Sequence, residues 1–348
     1  MADHTTLEVG GPARWFVECD SHAAVRYALA WARQRTLPTF VLGGGSNLLV
    51  SDDGFDGLVL RPTMDDVTVQ QSGEHVQLRV GAGMVWDALV ERAVASGWAG
   101  LECLSGIPGN VGAAPIQNIG AYGQEVSETI VAVTAMDRAS GEIQELPATS
   151  LQFGYRNSRF KGQWRDRYVI LSVDFRLAIK NEGAVRYPGL RAQLGLGDGD
   201  PAPTLEAVRQ GVLEVRRQKS MVLDPDDPNR RSAGSFFVNP VVGEAKADAV
   251  AAKARARGTE RDLPRYPAPA VDGEARVKLS AAWLIEEAGF QRGFGEGAAG
   301  LSSRHTLALV NRGGATARDL LDLARTIQDG VYNAFAVELT PEPLLLGF

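Results

Sequence analysis

Hydrophobic positions along this chain follow two rhythms. After Ser21, Val25, Leu29 and Ala32 recur at helical spacing to about Gln34, and Ser21 suits the N-cap. Thr39-Phe40-Val41-Leu42 is a short apolar run, followed by Leu48-Leu49-Val50 and Gly57-Leu58-Val59-Leu60. These read as strands of a small β-α-β unit closing near Pro62. Beyond it the period falls to two. Val67 and Val69, then Val76, Leu78 and Val80, alternate around Ser72-Gly73 and predict a hairpin. A helix is predicted from Trp86 to Ala95, stopped at Gly97. Ile130 to Ala135 and Glu142 to Leu146 flank Ala139-Ser140-Gly141 as a second hairpin, and Tyr168 to Leu177 is a strong strand. This region reads as α+β with antiparallel pairing.

Residues 191–204, rich in Gly, Asp and Pro, are expected to form a linker or surface loop. A helix follows from about Leu205 to Lys219, and the Asp- and Pro-rich stretch Leu223 to Arg231 is irregular. Ser280 caps a helix to Ala288, ended by Gly289. Thr316 caps the last long helix, with Asp319 at its N3 position and Leu320, Leu323, Ile327 and Val331 facing inward. Leu344-Leu345-Leu346 is expected to dock back as a strand. The division this suggests is 1–62, 63–204 and 205–335, with the tail 336–348 returning to the first part.

Composition narrows the classes. A chain of 348 residues exceeds one simple core. The net charge of −6, from 36 basic and 42 acidic residues, argues against a general nucleic-acid binder. Cys19 and Cys103 can form neither a disulfide framework nor a zinc cluster, and no His-x-x-x-His or paired-carboxylate spacing supports a metal. The N-terminus lacks a signal-peptide pattern, and no stretch approaches the ~20 apolar residues of a membrane span. A soluble cytoplasmic monomer with small-molecule partners, without nucleic acid or membrane, is the expectation.

Residues 106–123 hold five glycines among mostly small residues. A helix so composed would lose roughly 1 kcal/mol per Gly relative to Ala. What the segment gains is backbone that approaches a ligand closely and aims N–H donors at an anion. Gly43-Gly44-Gly45-Ser46-Asn47, after an apolar strand, is a second such loop. It is neither the dinucleotide fingerprint, since Leu48 and Leu49 follow Asn47, nor a Walker A loop. Two permissive loops suggest a large ligand with a polyanionic middle, such as a dinucleotide.

Ala233-Gly234-Ser235-Phe236-Phe237-Val238-Asn239-Pro240 sets a hydroxyl against two aromatics. Its bland reading is a strand with a buried serine. Ser-His hydrolysis is disfavoured, because the second glycine of a nucleophile elbow is missing. Arg156, in Gly154-Tyr-Arg-Asn-Ser-Arg-Phe160, is either a carboxylate fork or part of a solvated basic turn. Glu342, between Pro341 and Pro343, is either paired and partly buried or simply at a turn. The run Arg216-Arg217-Gln218-Lys219 is a phosphate site or a complement to a helix dipole.

Taken in order, these segments resemble the bacterial UDP-N-acetylenolpyruvoylglucosamine reductases over nearly the full chain. The likeness rests on Leu-Gly-Gly-Gly-Ser-Asn-Leu-Leu (42–49), the 107–123 segment, Gly-Tyr-Arg-Asn-Ser-Arg-Phe (154–160), Ala-Gly-Ser-Phe-Phe-Val-Asn-Pro (233–240), Val-Lys-Leu-Ser-Ala-Ala-Trp-Leu-Ile (277–285) and Pro-Glu (341–342). It implies noncovalent FAD in a two-part domain of the vanillyl-alcohol-oxidase type, over 1–62 and 63–204, and a substrate domain over 205–335. It implies that NADPH reduces the flavin, whose N5 then passes a hydride to the enolpyruvyl C3 of UDP-N-acetylglucosamine-enolpyruvate while C2 takes a proton. The product is UDP-N-acetylmuramate, a peptidoglycan precursor. The family motifs map the proton donor to Ser235, and its catalytic partners to Arg156 and Glu342.

The same resemblance places FAD on Gly43, Gly44, Gly45, Ser46 and Asn47 of the first loop. From the second it takes Ile107, Pro108, Gly109, Gly112, Ala113, Ala114, Ile116, Gly120, Tyr122 and Gly123. Tyr187, Lys219, Asn239 and His305 are the expected substrate contacts. The chain departs from the family pattern at Val238, where lysine is common, and in its longer 220–231 segment, where Arg230 and Arg231 are candidates to supply the missing charge. Two other readings share some of these features. One is a flavin oxidase of the same cofactor fold, and the other a nucleotide-sugar binding protein without redox chemistry.

Overall fold

The computed structural model describes residues 1–271 and 273–348. Its helices are α1 (His22–Gln34), α2 (Trp86–Ala95), α3 (Pro188–Gln193), α4 (Leu205–Gln218), α5 (Glu244–Ala256), α6 (Ala281–Glu287) and α7 (Ala317–Phe335). The chain separates into two compact units. One comprises residues 13–45 and 55–223, the other residues 1–12, 46–54 and 224–348. This grouping runs along different lines from the three-way division read from the sequence.

In the first unit a parallel sheet has the order Ala13–Cys19, Phe55–Pro62, Thr39–Val41. Helix α1 buries Val25, Ala28, Leu29 and Ala32, and Ser21 caps it by accepting the Ala24 N–H. An antiparallel sheet follows, in the order Ile143–Pro147, Ile130–Asp137, Tyr168–Ile179, His75–Gly81, Val67–Ser72. Its inward residues and one face of α2 form the larger core. Trp86 is fully buried there, 6.2 Å from the Phe175 ring, and its indole N–H donates to the Leu104 carbonyl. Burial of such a side chain is worth about 1.5–3 kcal/mol. The expected loop over 191–204 begins with the end of α3, whose Leu190 is fully buried.

In the second unit α7 packs on the hairpin Ala299–Leu301 with Leu309–Asn311 and α6 packs on α7, while α5 packs on Val241–Gly243 and Glu274–Leu279 of the sheet that Arg265–Val271 completes. Residues 46–54 belong here for two reasons. Leu48–Val50 pairs in parallel with the tail strand Leu344–Leu346. The Asp52 carboxylate also accepts the N–H groups of Ala317 and Arg318, where the α7 dipole favours a negative charge. Among the described residues no helix is long and apolar enough to cross a membrane.

Candidate active site

Within the first unit the two glycine loops meet. A Cβ built on Gly44 would lie 2.6 Å from Gly109 Cα, and one on Gly43 would lie 3.3 Å from Ala113 Cβ. Only small residues permit so close an approach of main chain to main chain. The second loop is sewn to residues 82–86 of the same unit. Gly112 N–H donates to the Ala82 carbonyl, Val111 N–H to Met84 and Trp86 N–H to Gly109, while the Asn110 amide donates to Gly83. Ala82 and Gly83, which sequence reasoning passed over, carry their signal in the Gly81-Ala82-Gly83 run that ends a strand. Val111, Ala114 and Ile119 anchor the loop in the core, while Ile116 is exposed.

Arg156 stands on a turn tied to that loop. The Ser158 hydroxyl donates to the Ile116 carbonyl at 2.6 Å, and the Arg156 guanidinium donates to the Gly120 carbonyl at 2.7 Å. Buried Asn118 completes the seam, donating to the Glu125 carboxylate and the Gly154 carbonyl and accepting the Ser127 N–H. Arg156, Asn118 and Tyr122 all take left-handed main-chain angles, with φ of 51°, 49° and 51°. Such strain persists where surrounding bonds over-determine it, and it gathers at functional sites.

A charged cluster joins α2 and α4, with its arginines Arg209 and Arg216 buried. Asp87 on α2 receives a two-pronged bond from Arg209 on α4, at 2.7 and 2.8 Å, and also accepts the Gly106 N–H at 2.6 Å. Burial pushes the Asp87 carboxyl up, but the Arg209 and Gly106 bonds outweigh it and hold it below the ordinary range. Arg216 is buried and donates to the Met221 carbonyl, while its Nε has no partner among the described residues. Burial disfavours its charge, Tyr122 and Asp87 restore part of it, and Arg156 opposes it. A guanidinium remains cationic at neutral pH despite this. Tyr122 itself is pushed up by burial and drawn back by Arg216. Tyr187, just before α3, sets its ring 5.6 Å from Tyr122, and Lys219 is the C-cap of α4.

Ser235, Asn239, His305 and Glu342 belong to the second unit, with Ser46 and Asn47. Phe236 N–H donates to the Leu307 carbonyl, and Val238 N–H to Thr340. Glu342 N–H donates to the Phe236 carbonyl at 2.9 Å, so the main chain bearing Ser235 and that bearing Glu342 run antiparallel and in contact. Ser235 is half-buried beside the fully buried Phe236 and Phe237. His305 is half-buried, in the turn joining the Ala299–Leu301 and Leu309–Asn311 strands. Asn239 is occupied structurally, its Oδ1 accepting the Ala281 N–H at the start of α6. Arg230 and Arg231 both pair with Glu8, so their charges are directed to the N-terminal segment of this unit. Both thiols are buried, Cys19 pushed up to about 11 by burial and then Asp20, Cys103 to about 12 by burial and then Glu102. Among the described residues no His, Cys, Asp or Glu cluster is arranged to hold a metal.

The FAD binding domain model matches residues 13–147, and the model of the UDP-N-acetylenolpyruvoylglucosamine reductase C-terminal domain matches residues 226–346. The UDP-N-acetylenolpyruvoylglucosamine reductase of Thermobifida fusca is 48% identical over 350 residues, spanning 100% of this chain and 96% of that protein. The chain belongs to the UDP-N-acetylenolpyruvoylglucosamine reductase family. The family's Streptomyces coelicolor member is 45% identical, over 100% of this chain and 89% of its own. The reductase structure from Thermus caldophilus matches with a TM-score of 0.66 at 27% identity, over 99% of this chain and 96% of that one. The fold extends to 6-hydroxy-D-nicotine oxidase from Arthrobacter nicotinovorans, with a TM-score of 0.50 and 15% identity over 95% of this chain and 83% of that one. The fold is α+β with an FAD-binding domain, and FAD is the cofactor. The meeting glycine loops fit that group as bare main chain, since a side chain on Gly44 would strike the Gly109 main chain and one on Gly43 would crowd Ala113.

Proposed function

We propose that this chain reduces the enolpyruvyl ether of UDP-N-acetylglucosamine to UDP-N-acetylmuramate, with NADPH as electron donor, for peptidoglycan synthesis. One observation supports this reading above the others. The segment carrying Ser235 is hydrogen-bonded to the segment carrying Glu342, so two acid–base side chains stand on paired main chain.

Gly43, Gly44 and Gly45 with the 107–123 segment would hold FAD, which when bound supplies two-electron transfer from the nicotinamide to the alkene. Addition at C3 of the substrate leaves electron density at C2 and on the adjoining carboxylate. Arg156, permanently charged and oriented by its bond to Gly120, holds that density. Glu342 shares the polarising role at the same carboxylate. Ser235 gives the proton to C2. A hydroxyl is a poor acid in water, so it acts only toward a strongly basic carbon in a dry site, a condition that Phe236 and Phe237 help to meet. Tyr187, Lys219, Asn239 and His305 are the proposed contacts to the nucleotide sugar.

Visible absorption tests the reading. The protein is expected to show a flavin spectrum, to bleach with NADPH more readily than with NADH, and to recolour with the enolpyruvyl sugar. Ser235→Ala should keep the bleaching step and slow recolouring by about 10²–10⁴-fold. Normal recolouring in that variant removes the acid role from Ser235.

A further inference from the structure

Asn47 closes the first glycine loop, yet its described contacts lead to the C-terminal tail. Its side-chain amide donates to the Glu342 carbonyl at 3.2 Å, and its own carbonyl accepts the Leu344 N–H at 3.0 Å. All of these residues lie in one compact unit.

The sequence of the tail makes these bonds matter. Pro341 and Pro343 have no N–H, so between Thr340 and Leu344 the main chain has a single donor, that of Glu342. That donor is committed to the Phe236 carbonyl at 2.9 Å. Proline after Glu342 biases the residue to extended angles, which leaves its position to be fixed by whatever holds its two main-chain polar groups. Phe236 holds the N–H from the Ser235 side. Asn47 holds the carbonyl, and the parallel pairing of Leu48–Val50 with Leu344–Leu346 continues from that point. The Glu342 side chain thus hangs from a main chain held at both of its polar groups.

We infer that Asn47 is a positioning residue for Glu342, setting the acid's place through its main-chain carbonyl. The inference rests on the catalytic role proposed for Glu342. Asn47 then governs the step in which the sugar is reduced, whereas a loop residue that only gripped the cofactor would govern flavin retention.

The test uses the holoenzyme and follows the half-reactions separately, as the rate of bleaching by NADPH and the rate of recolouring by the enolpyruvyl sugar. With both rates taken per bound flavin, Asn47→Ala should lose recolouring ~10- to 100-fold beyond any loss in bleaching, the penalty of a misplaced catalytic group. The loss should appear in the maximal recolouring rate, with little change in half-saturating sugar. Asn47→Asp, which keeps the shape but loses the donor, should behave alike and serves if the alanine variant folds poorly. In a Glu342→Gln background, Asn47→Ala should add little, because both substitutions disable one unit. Weakened FAD binding with unchanged recolouring per bound flavin overturns the inference, as do fully additive losses. If Glu342→Gln itself recolours at the parent rate, the role of Glu342 falls and the inference with it. A slow Glu342→Gln beside a normal Asn47→Ala sinks the inference alone.

Discussion

Arg156 carries its guanidinium on a left-handed main chain, at φ 51°, a conformation costing an ordinary residue roughly 1–2 kcal/mol. The bonds of Ser158 and Arg156 itself to the second glycine loop, and of that loop's Asn118 to the Gly154 carbonyl, hold it there. The fork geometry of that side chain is therefore a property of the turn as well as of arginine. Arg156→Lys keeps the charge and loses the fork, so steady-state kcat/KM for the enolpyruvyl sugar should fall by about 10²–10³-fold with flavin absorbance intact. The sequence left Arg156 between a carboxylate fork and a solvated turn, because a local pattern of aromatics and cations fits either. It also read Arg216 with its three successors as one basic run. The fold separates them: Arg216 is buried beside Tyr122, Arg217 is exposed, and Lys219 ends the helix. Burial depends on what packs against α4, and the run alone holds no record of that.

Elements announced by their own chemistry were legible. Thr316 and Asp319 exchange the bonds of a capping box, as their spacing predicts, and Ser21 and Ser280 cap α1 and α6. Thr316→Ala should cost about 1 kcal/mol in urea unfolding. Helix α5 gave no clear period, because its many alanines suit either face, and it buries only Ala247, Val250 and Ala254. The Arg265–Val271 strand carries Pro267 and Pro269, which its edge position tolerates but which hides it from a strand pattern. Gly44 has ordinary angles, yet a Cβ on it would meet Gly109 Cα and the Asn110 side chain. Gly44→Ala should therefore spread the two loops apart and weaken FAD retention at least tenfold, as measured by titrating apoprotein with FAD, while α2 and its core stay folded.

Across the molecule, long-range charge pairs hold the segments that composition scattered. Asp87 is bound by Arg209 and Gly106, residues far apart in the chain, and its carboxyl titrates below the ordinary value. A depressed carboxyl adds stability above its unfolded pKa of about 3.9, and that stability is lost as pH falls through the lower folded value. Asp87→Asn should accordingly be less stable than the parent by about 2 kcal/mol at pH 7. The gap should narrow below about pH 4, as read from urea midpoints across pH. By itself the sequence determined what lies within a few residues: helix caps, hairpin turns, the bare glycine loops and the motifs that mark the family, since each is set by neighbouring dihedrals and side chains. Tertiary structure alone decided that residues 46–54 join the C-terminal unit, that Gly44 must meet Gly109, and that Asn47 reaches Glu342. Those facts are contacts between distant segments, fixed by pairing and packing that no local pattern records.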